Sequence, residues 1–228
     1  NPAQKQAVDA IEGPVMVVAG PGTGKTHVLT LRIANILLST DTPPDGILAL
    51  TFTESGANTM RRRLADIIGP SAYRVRIHTF HGFCKDVIER FPDEFPRIIG
   101  ASPLTEVERI TILRDLIREG TWEHLRPFGD PYYYLNPARQ AISEMKRENI
   151  APDFQALFLD AQEKEFAAIP DLYYDKGAYK GKMKGDYQQR AKVLSRTREL
   201  NVLYRAYEAE LMRRRKYDFE DVIMEVVS

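Results

Sequence analysis

Between residues 19 and 26 the chain reads Ala19-Gly20-Pro21-Gly22-Thr23-Gly24-Lys25-Thr26, with an apolar run before it and helical periodicity after it. Glycines at 20, 22 and 24 allow backbone angles that turn successive N–H groups inward, and a helix beginning near Lys25 points its positive dipole end at the same space. Such a cradle accepts phosphate. The Gly-Lys-Thr ending places Lys25 to reach β and γ phosphates and the Thr26 hydroxyl to hold Mg²⁺. The strict pattern opens with glycine where this chain has Ala19, a common variant. Kinases, GTPases, transporters and helicases share this loop, so it points to a bound nucleotide and leaves the reaction open.

The surrounding pattern predicts how the loop is mounted. Pro14 to Ala19 is a short continuous apolar run of the kind that fits a strand covered on both faces of a parallel sheet. Thr26 to Leu38 carries apolar residues at helical spacing, ending before the turn from Asp41 to Gly46. The alternation repeats, with strands over Ile47–Phe52 and Arg74–His78 and helices over Ser55–Ile68 and Phe80–Phe91. This order predicts an α/β fold with a doubly wound parallel sheet. After about Pro92 short buried strands cease. Amphipathic stretches over Thr105–Glu119, Pro137–Glu148, Asp153–Phe166 and Tyr187–Arg215 predict an all-helical subdomain. Between the third and fourth of these, Tyr173 to Gly185 is rich in glycine and lysine and reads as a mobile solvated loop. A last helix is expected to start within Tyr217–Ile223.

Composition excludes several classes. With 228 residues and 43% hydrophobic content the chain can bury a core, and its 32 basic and 32 acidic side chains give no global attraction to nucleic acid. A single cysteine, Cys84, rules out a disulfide framework or a cysteine-based zinc site, and reads as a small buried apolar residue. No segment approaches the ~20 apolar residues of a membrane span, and the start has neither the basic head nor the apolar run of a signal peptide. A soluble, cytoplasmic protein without a membrane partner is expected.

Four further blocks narrow the reading. Asn1-Pro2-Ala3-Gln4-Lys5-Gln6-Ala7-Val8 opens the chain, Leu50-Thr51-Phe52-Thr53-Glu54 ends the second predicted strand, Ile77-His78-Thr79-Phe80-His81-Gly82-Phe83 ends the third, and Tyr217-Asp218-Phe219-Glu220-Asp221 follows the helical stretch. Together with the phosphate loop, and in this order, they resemble the N-terminal part of the UvrD/Rep/PcrA-type helicases of superfamily 1. The resemblance covers nearly the whole chain.

It implies a RecA-like P-loop NTPase domain, incomplete here, with the helical subdomain inserted: domain 1A over 1–92, subdomain 1B over 93–215, and a return into 1A over 216–228. It also implies a family of site roles. Gln4 would read adenine through an amide that both donates and accepts. Ala19, Gly20, Pro21, Gly22, Thr23, Gly24, Lys25, Thr26 and His27 would hold ATP with Mg²⁺. Thr51, Phe52, Thr53, Thr79, Phe80 and His81 would touch single-stranded DNA, by base stacking and by donation to phosphates. Taken alone, without the other blocks, Phe52 reads more readily as a core aromatic and Thr51 and Thr53 as ordinary strand residues, and one of His78 and His81 as a satisfied core histidine. The chain departs from the family pattern at Glu54, Ser55 and Thr59, where Asn, Lys and Glu are more usual, and at His27, where arginine usually packs on adenine.

The implied activity is an ATP-dependent DNA helicase of repair, replication or recombination, travelling 3′ to 5′ and working at junctions of single- and double-stranded DNA. The Asp-Glu pair that anchors Mg²⁺ and the arginines of a second motor domain are not in the sequence, so a C-terminal motor domain in cis is expected and the fragment alone is expected to be inactive. The helicase part of a recombination helicase–nuclease, and a nonhydrolysing nucleotide- and DNA-binding module, stay open. A small-molecule kinase would leave the blocks at the strand ends without a purpose.

Overall fold

The computed structural model describes residues 1–227, which divide into two compact units, Asn1–Arg90 and the chain from Phe91 onward.

In the first unit, helix α1 (Pro2–Asp9) is capped by the Asn1 side chain, which accepts from the Ala3 N–H. Helix α2 (Lys25–Ser39) is held to it by Asn35, whose side-chain amide donates to the Val8 carbonyl at 3.0 Å. Strand β1 (Leu48–Thr51) leads into helix α3 (Glu54–Ile68), and β2 (Arg76–Thr79) runs straight into α4 (Phe80–Arg90). The strands are parallel, with Leu48 opposite Arg76 and Thr51 opposite Thr79, so both chains leave the sheet at the same end. Thr53 starts α3 by accepting from the Gly56 N–H, and Gly69, at φ +68°, ends it. The core lies between α2, α3 and the two strands, and includes Ile33, Ala49, Met60, Leu64, Val75 and Ile77. Arg61 adds a bond from α3 to the Ile77 carbonyl at 2.7 Å.

One expected strand is missing. Residues 14–19 form no ladder; Met16 and Val18 are 90% and 87% exposed. A parallel strand pairs its backbone groups only through neighbours, and its two apolar faces need cover from both sides. Among the described residues β1 and β2 pair as strands only with each other, so the run stays unpaired and uncovered, and the sheet is two-stranded rather than a complete doubly wound one.

The second unit is helical: α5 (Glu106–Glu119), α6 (Leu135–Arg147), α7 (Pro152–Ala167), α8 (Gly185–Arg214) and α9 (Phe219–Val227). Thr105 and Glu108 close a capping box at the start of α5. Ile112, Leu113, Ile117, Ile142, Leu203, Tyr207 and Leu211 form its core between α5, α6 and α8. The Glu199 carboxylate collects the N–H groups of Glu123, His124 and Leu125, fixing the irregular segment after α5. Two short strands not anticipated from the pattern, β3 (Ser102–Pro103) and β4 (Lys216–Tyr217), pair in parallel just before α5 and α9.

The segment read as a mobile loop is instead a bonded hairpin. Tyr173 pairs with Met183, the Tyr174 N–H donates to Lys182 at 3.0 Å, and the Lys184 N–H to Leu172 at 3.0 Å. Buried Leu172 joins Phe166 and Leu194 in a small cluster beneath it.

Candidate functional site

The phosphate loop is built as its glycines allow. Gly22 (φ +73°) and Gly24 (φ +83°) occupy the left-handed region, and Gly24 is the N-cap of α2, so the helix starts at Lys25 with its first N–H groups turned to the loop. The Thr23 hydroxyl donates to the Gly20 carbonyl at 2.8 Å, closing the turn. Lys25 Nζ lies over the loop, donating to the Ala19 and Gly20 carbonyls at 3.2 and 2.8 Å.

Beside it is a pocket of about 770 Å³, within the size range of small-molecule sites, walled by Gln4, Ala7, Val17, Val18 and the α2 face of Lys25, Val28, Leu29 and Arg32. Ala19, Gly20 and Thr23 line it from the loop; Pro21, Gly22, Gly24, Thr26 and His27 do not. His27 is exposed, two residues along the helix from Lys25. Gln4 reaches the loop itself, its amide donating to the Thr23 carbonyl at 3.0 Å. Arg32 is the residue that sequence reading missed. The signal was there: positions 25, 28, 29 and 32 share one face of a 3.6-residue helix.

These residues fit a nucleoside triphosphate. The inward N–H groups, the helix start and Lys25 suit its phosphates, and the apolar pocket wall with one cation at its rim suits a flat base. For Mg²⁺ the protein offers the Thr26 hydroxyl. The group of three carboxylates that converges among the described residues, Glu208, Asp218 and Asp221, lies in the second unit, where all three share Lys146.

The residues at the strand ends divide into two groups. Phe52 is 90% exposed and takes no part in the core of the first unit, and its ring centroid is 5.2 Å from that of Phe80, also exposed. These rings stand side by side because Thr51 and Thr79, opposite each other in register, deliver them from the same end of the sheet. Thr79, by contrast, is only 8% exposed, and its hydroxyl donates to Glu54 Oε1 at 2.9 Å while accepting from the Gly82 N–H at 3.0 Å. Thr53 is engaged as the cap of α3. Thr51 is half-buried, and an added Cβ on Gly56 would come within 2.9 Å of its hydroxyl. His81 is half-buried; desolvation and then the Lys85 charge lower its pKa, so it is neutral at pH 7. Cys84 is buried, as expected.

The converging carboxylates of the second unit, Glu208, Asp218 and Asp221, already share a cation: Lys146 Nζ lies 2.6 Å from Glu208 and 2.7 Å from each aspartate. Arg97 bridges Glu208, Asp221 and Glu225. Burial, then the neighbouring Asp218 and Glu208 charges, push Asp221 up to about 6 against the pull of Lys146. Burial opposes ionisation of Asp218 as well, but Lys146 and Arg109 outweigh it and hold its pKa low. This is an ion-paired clasp fixing α9 to α6 and α8. No helix among the described residues is long and apolar enough to cross a membrane.

The sequence profile of the UvrD/REP helicase N-terminal domain matches residues 1–228. Curated relatives include the ATP-dependent DNA helicase PcrA of Bacillus subtilis (strain 168), 28% identical over 227 residues, which cover 100% of this chain and 25% of the relative. The PcrA helicases of Staphylococcus epidermidis and of Staphylococcus aureus (strain COL) are each 27% identical over 228 residues, with 100% of this chain and 26% of the relative covered. The chain thus spans about a quarter of the length of these relatives. With that profile running end to end, a phosphate loop capping α2 and paired aromatics at the strand ends, the chain belongs to the UvrD/REP helicase N-terminal domain family.

Proposed function

We propose that this chain is the N-terminal, ATP- and single-stranded-DNA-binding portion of an ATP-dependent DNA helicase, with 1–92 serving as ATP-binding domain 1A, 93–215 as subdomain 1B and 216–228 leading back into 1A. The observation that carries the reading is the position of Lys25 Nζ over the Ala19 and Gly20 carbonyls, inside a glycine turn that opens on an apolar pocket. Mg²⁺, when bound with ATP, would neutralise phosphate charge. Gly20 to Thr26 hold the phosphates, Gln4 tethers α1 to the loop at Thr23, and Val17, Val28, Leu29 and Arg32 shape the base side. Phe52 and Phe80 give unpaired bases a stacking surface, with His81 and the threonines beside them.

The PcrA relatives are named ATP-dependent DNA helicases and this chain matches a quarter of them, which supports a parent enzyme whose remaining motor elements lie in a C-terminal domain in cis. Travel from 3′ to 5′, action at junctions of single- and double-stranded DNA, and a cytoplasmic role in repair, replication or recombination belong to this proposal. A second reading, the helicase part of a recombination helicase–nuclease, is favoured by the Phe52-Thr53-Glu54 run, whose Glu54 ties the two strand ends together. A nonhydrolysing module would bind both ligands without turnover.

Isothermal titration of ATP–Mg²⁺ into the wild type and Lys25→Ala tests the site. Removing the ammonium leaves the phosphates only backbone dipoles and metal, so affinity is expected to fall by tenfold or more, roughly the 1.5 to 3 kcal/mol of a charged hydrogen bond. Equal affinities would overturn the assignment.

A further inference from the structure

We propose that the hairpin over residues 172–184 is a second contact surface for single-stranded nucleic acid, with Tyr174 and Tyr179 as stacking surfaces and Lys176, Lys180 and Lys182 as phosphate partners. It rests on the reading of the chain as DNA-binding, but it lies in the second unit and can fail alone.

Charge is the first argument. The whole chain is balanced, yet 172–184 carries four lysines, at 176, 180, 182 and 184, against one acid, Asp175. Of these, Lys184 is paired with Asp171 at 3.0 Å, and the Tyr187 hydroxyl donates to the same carboxylate at 2.6 Å, so Asp171, which adjoins the hairpin, is already ion-paired. Lys176, Lys180 and Lys182 are exposed and turned to solvent.

Aromatic placement is the second. Tyr173, Tyr174 and Tyr179 are all exposed, although tyrosine rings ordinarily cover apolar surface. The rings of Tyr174 and Tyr179 lie 5.9 Å apart, with Lys184 over the first at 6.0 Å and Lys182 over the second at 5.6 Å. Alternating rings and ammonium groups match the alternation of base and phosphate along an unpaired strand. A duplex hides its base faces, and an acidic peptide would use the lysines alone.

Preorganisation is the third. Gly177 and Gly181, at φ +81° and +78°, make the turns, the Gly181 N–H donates back to Tyr174 at 2.8 Å, and Leu172 anchors the base in the cluster with Phe166 and Leu194. The side chains are held out from a bonded frame, which lowers the ordering cost of binding.

The test is fluorescence anisotropy of the whole chain with a labelled oligothymidine of about 20 nucleotides, and with a duplex of equal length, at low salt. Tyr174→Ala with Tyr179→Ala is expected to weaken oligothymidine binding about tenfold at unchanged melting temperature, with the phenylalanine pair restoring it and the duplex affected less. Alanine at Lys176, Lys180 and Lys182 should reduce the slope of log affinity against log salt by about 2. Oligothymidine carrying 4-thiothymidine should photocrosslink to peptides from 172–184. Unchanged affinity in both variants, crosslinks confined to the first unit, or no oligothymidine binding by the wild type would overturn the proposal. Loss in the lysine variant alone would reduce the hairpin to a general polyanion patch and overturn it as well. If Phe52→Ala abolishes binding while the hairpin variants match the wild type, the hairpin alone is refuted; the reverse pattern refutes the contact in the first unit.

Discussion

The Thr79 hydroxyl donates to Glu54 Oε1 at 2.9 Å, joining the end of β2 to the first turn of α3. Since Thr79 Oγ1 also accepts from the Gly82 N–H, one buried hydroxyl both starts α4 and fixes the spacing of the two strand ends that carry Phe52 and Phe80. Thr79→Val should leave the Gly82 N–H and the Glu54 carboxylate without this partner, at a cost of about 1 to 3 kcal/mol, while Thr79→Ser should retain most of the stability. Urea denaturation of the three proteins checks this. Equal midpoints would show that the bond contributes nothing net.

Phe52 leads to the opposite expectation. A ring 90% exposed has little burial to lose, so Phe52→Ala should change stability by no more than about 0.5 kcal/mol. Single-strand affinity should nevertheless fall by about 1 to 3 kcal/mol. A melting curve paired with anisotropy separates the two quantities; a large drop in melting temperature would mean the ring is covered in solution.

Arg32 should matter to nucleotide and not to the fold. It lies on the pocket wall beside Leu29, seven residues from Lys25 along the same helix face. Arg32→Ala is expected to weaken ATP binding by about 0.5 to 2 kcal/mol, the range for a cation over an aromatic face, and Arg32→Lys to recover part of it. Titration calorimetry with ATP and with inorganic triphosphate distinguishes base contact from phosphate contact: only ATP should respond.

Lys146 is the cation most costly to remove. It is 4% exposed among three carboxylates, so Lys146→Met would leave buried like charges without their counterion and should destabilise the second unit by about 3 to 5 kcal/mol. Chemical denaturation, followed by the circular dichroism of the helices, measures it. Loss of less than about 1 kcal/mol would show that Arg97 and Arg109 suffice to hold α9.

The same clasp sets a pH dependence. Asp221 has its pKa raised from the ordinary 3.8 to about 6, so between those values the folded chain holds a proton that the unfolded chain releases. Its contribution therefore favours folding at low pH and is lost as pH rises through that window. Asp218, with its pKa lowered, acts in the opposite sense, and below the window. Asp221→Asn removes the titration. The stability difference, wild type minus Asp221→Asn, should thus move in favour of the wild type on going from about pH 7.5 to about pH 5. An identical difference at both values would show that Asp221 stays ionised.

What the sequence by itself determined was local. The phosphate loop, α2, α3 and α4, and the four long helices of the second unit follow from periodicity, caps and glycine positions, because a helix satisfies its own backbone and displays its pattern within a few turns. The order of the blocks was enough to indicate the family. Only the tertiary structure decided matters that depend on residues far apart in the chain. Residues 14–19 have the composition of a buried strand, but a strand exists only with neighbours, and among the described residues none pairs with them. Phe52 and Thr79 both sit near strand ends; register and packing left one exposed and enclosed the other. The Lys146 clasp joins α6 to residues more than seventy positions later, at Asp218 and Asp221, and no local pattern reports such a pairing. The hairpin at 172–184 looked like free chain because its composition is polar; cross-strand bonds and the anchor at Leu172 gave it shape, since a few long-range contacts can order what propensity leaves open.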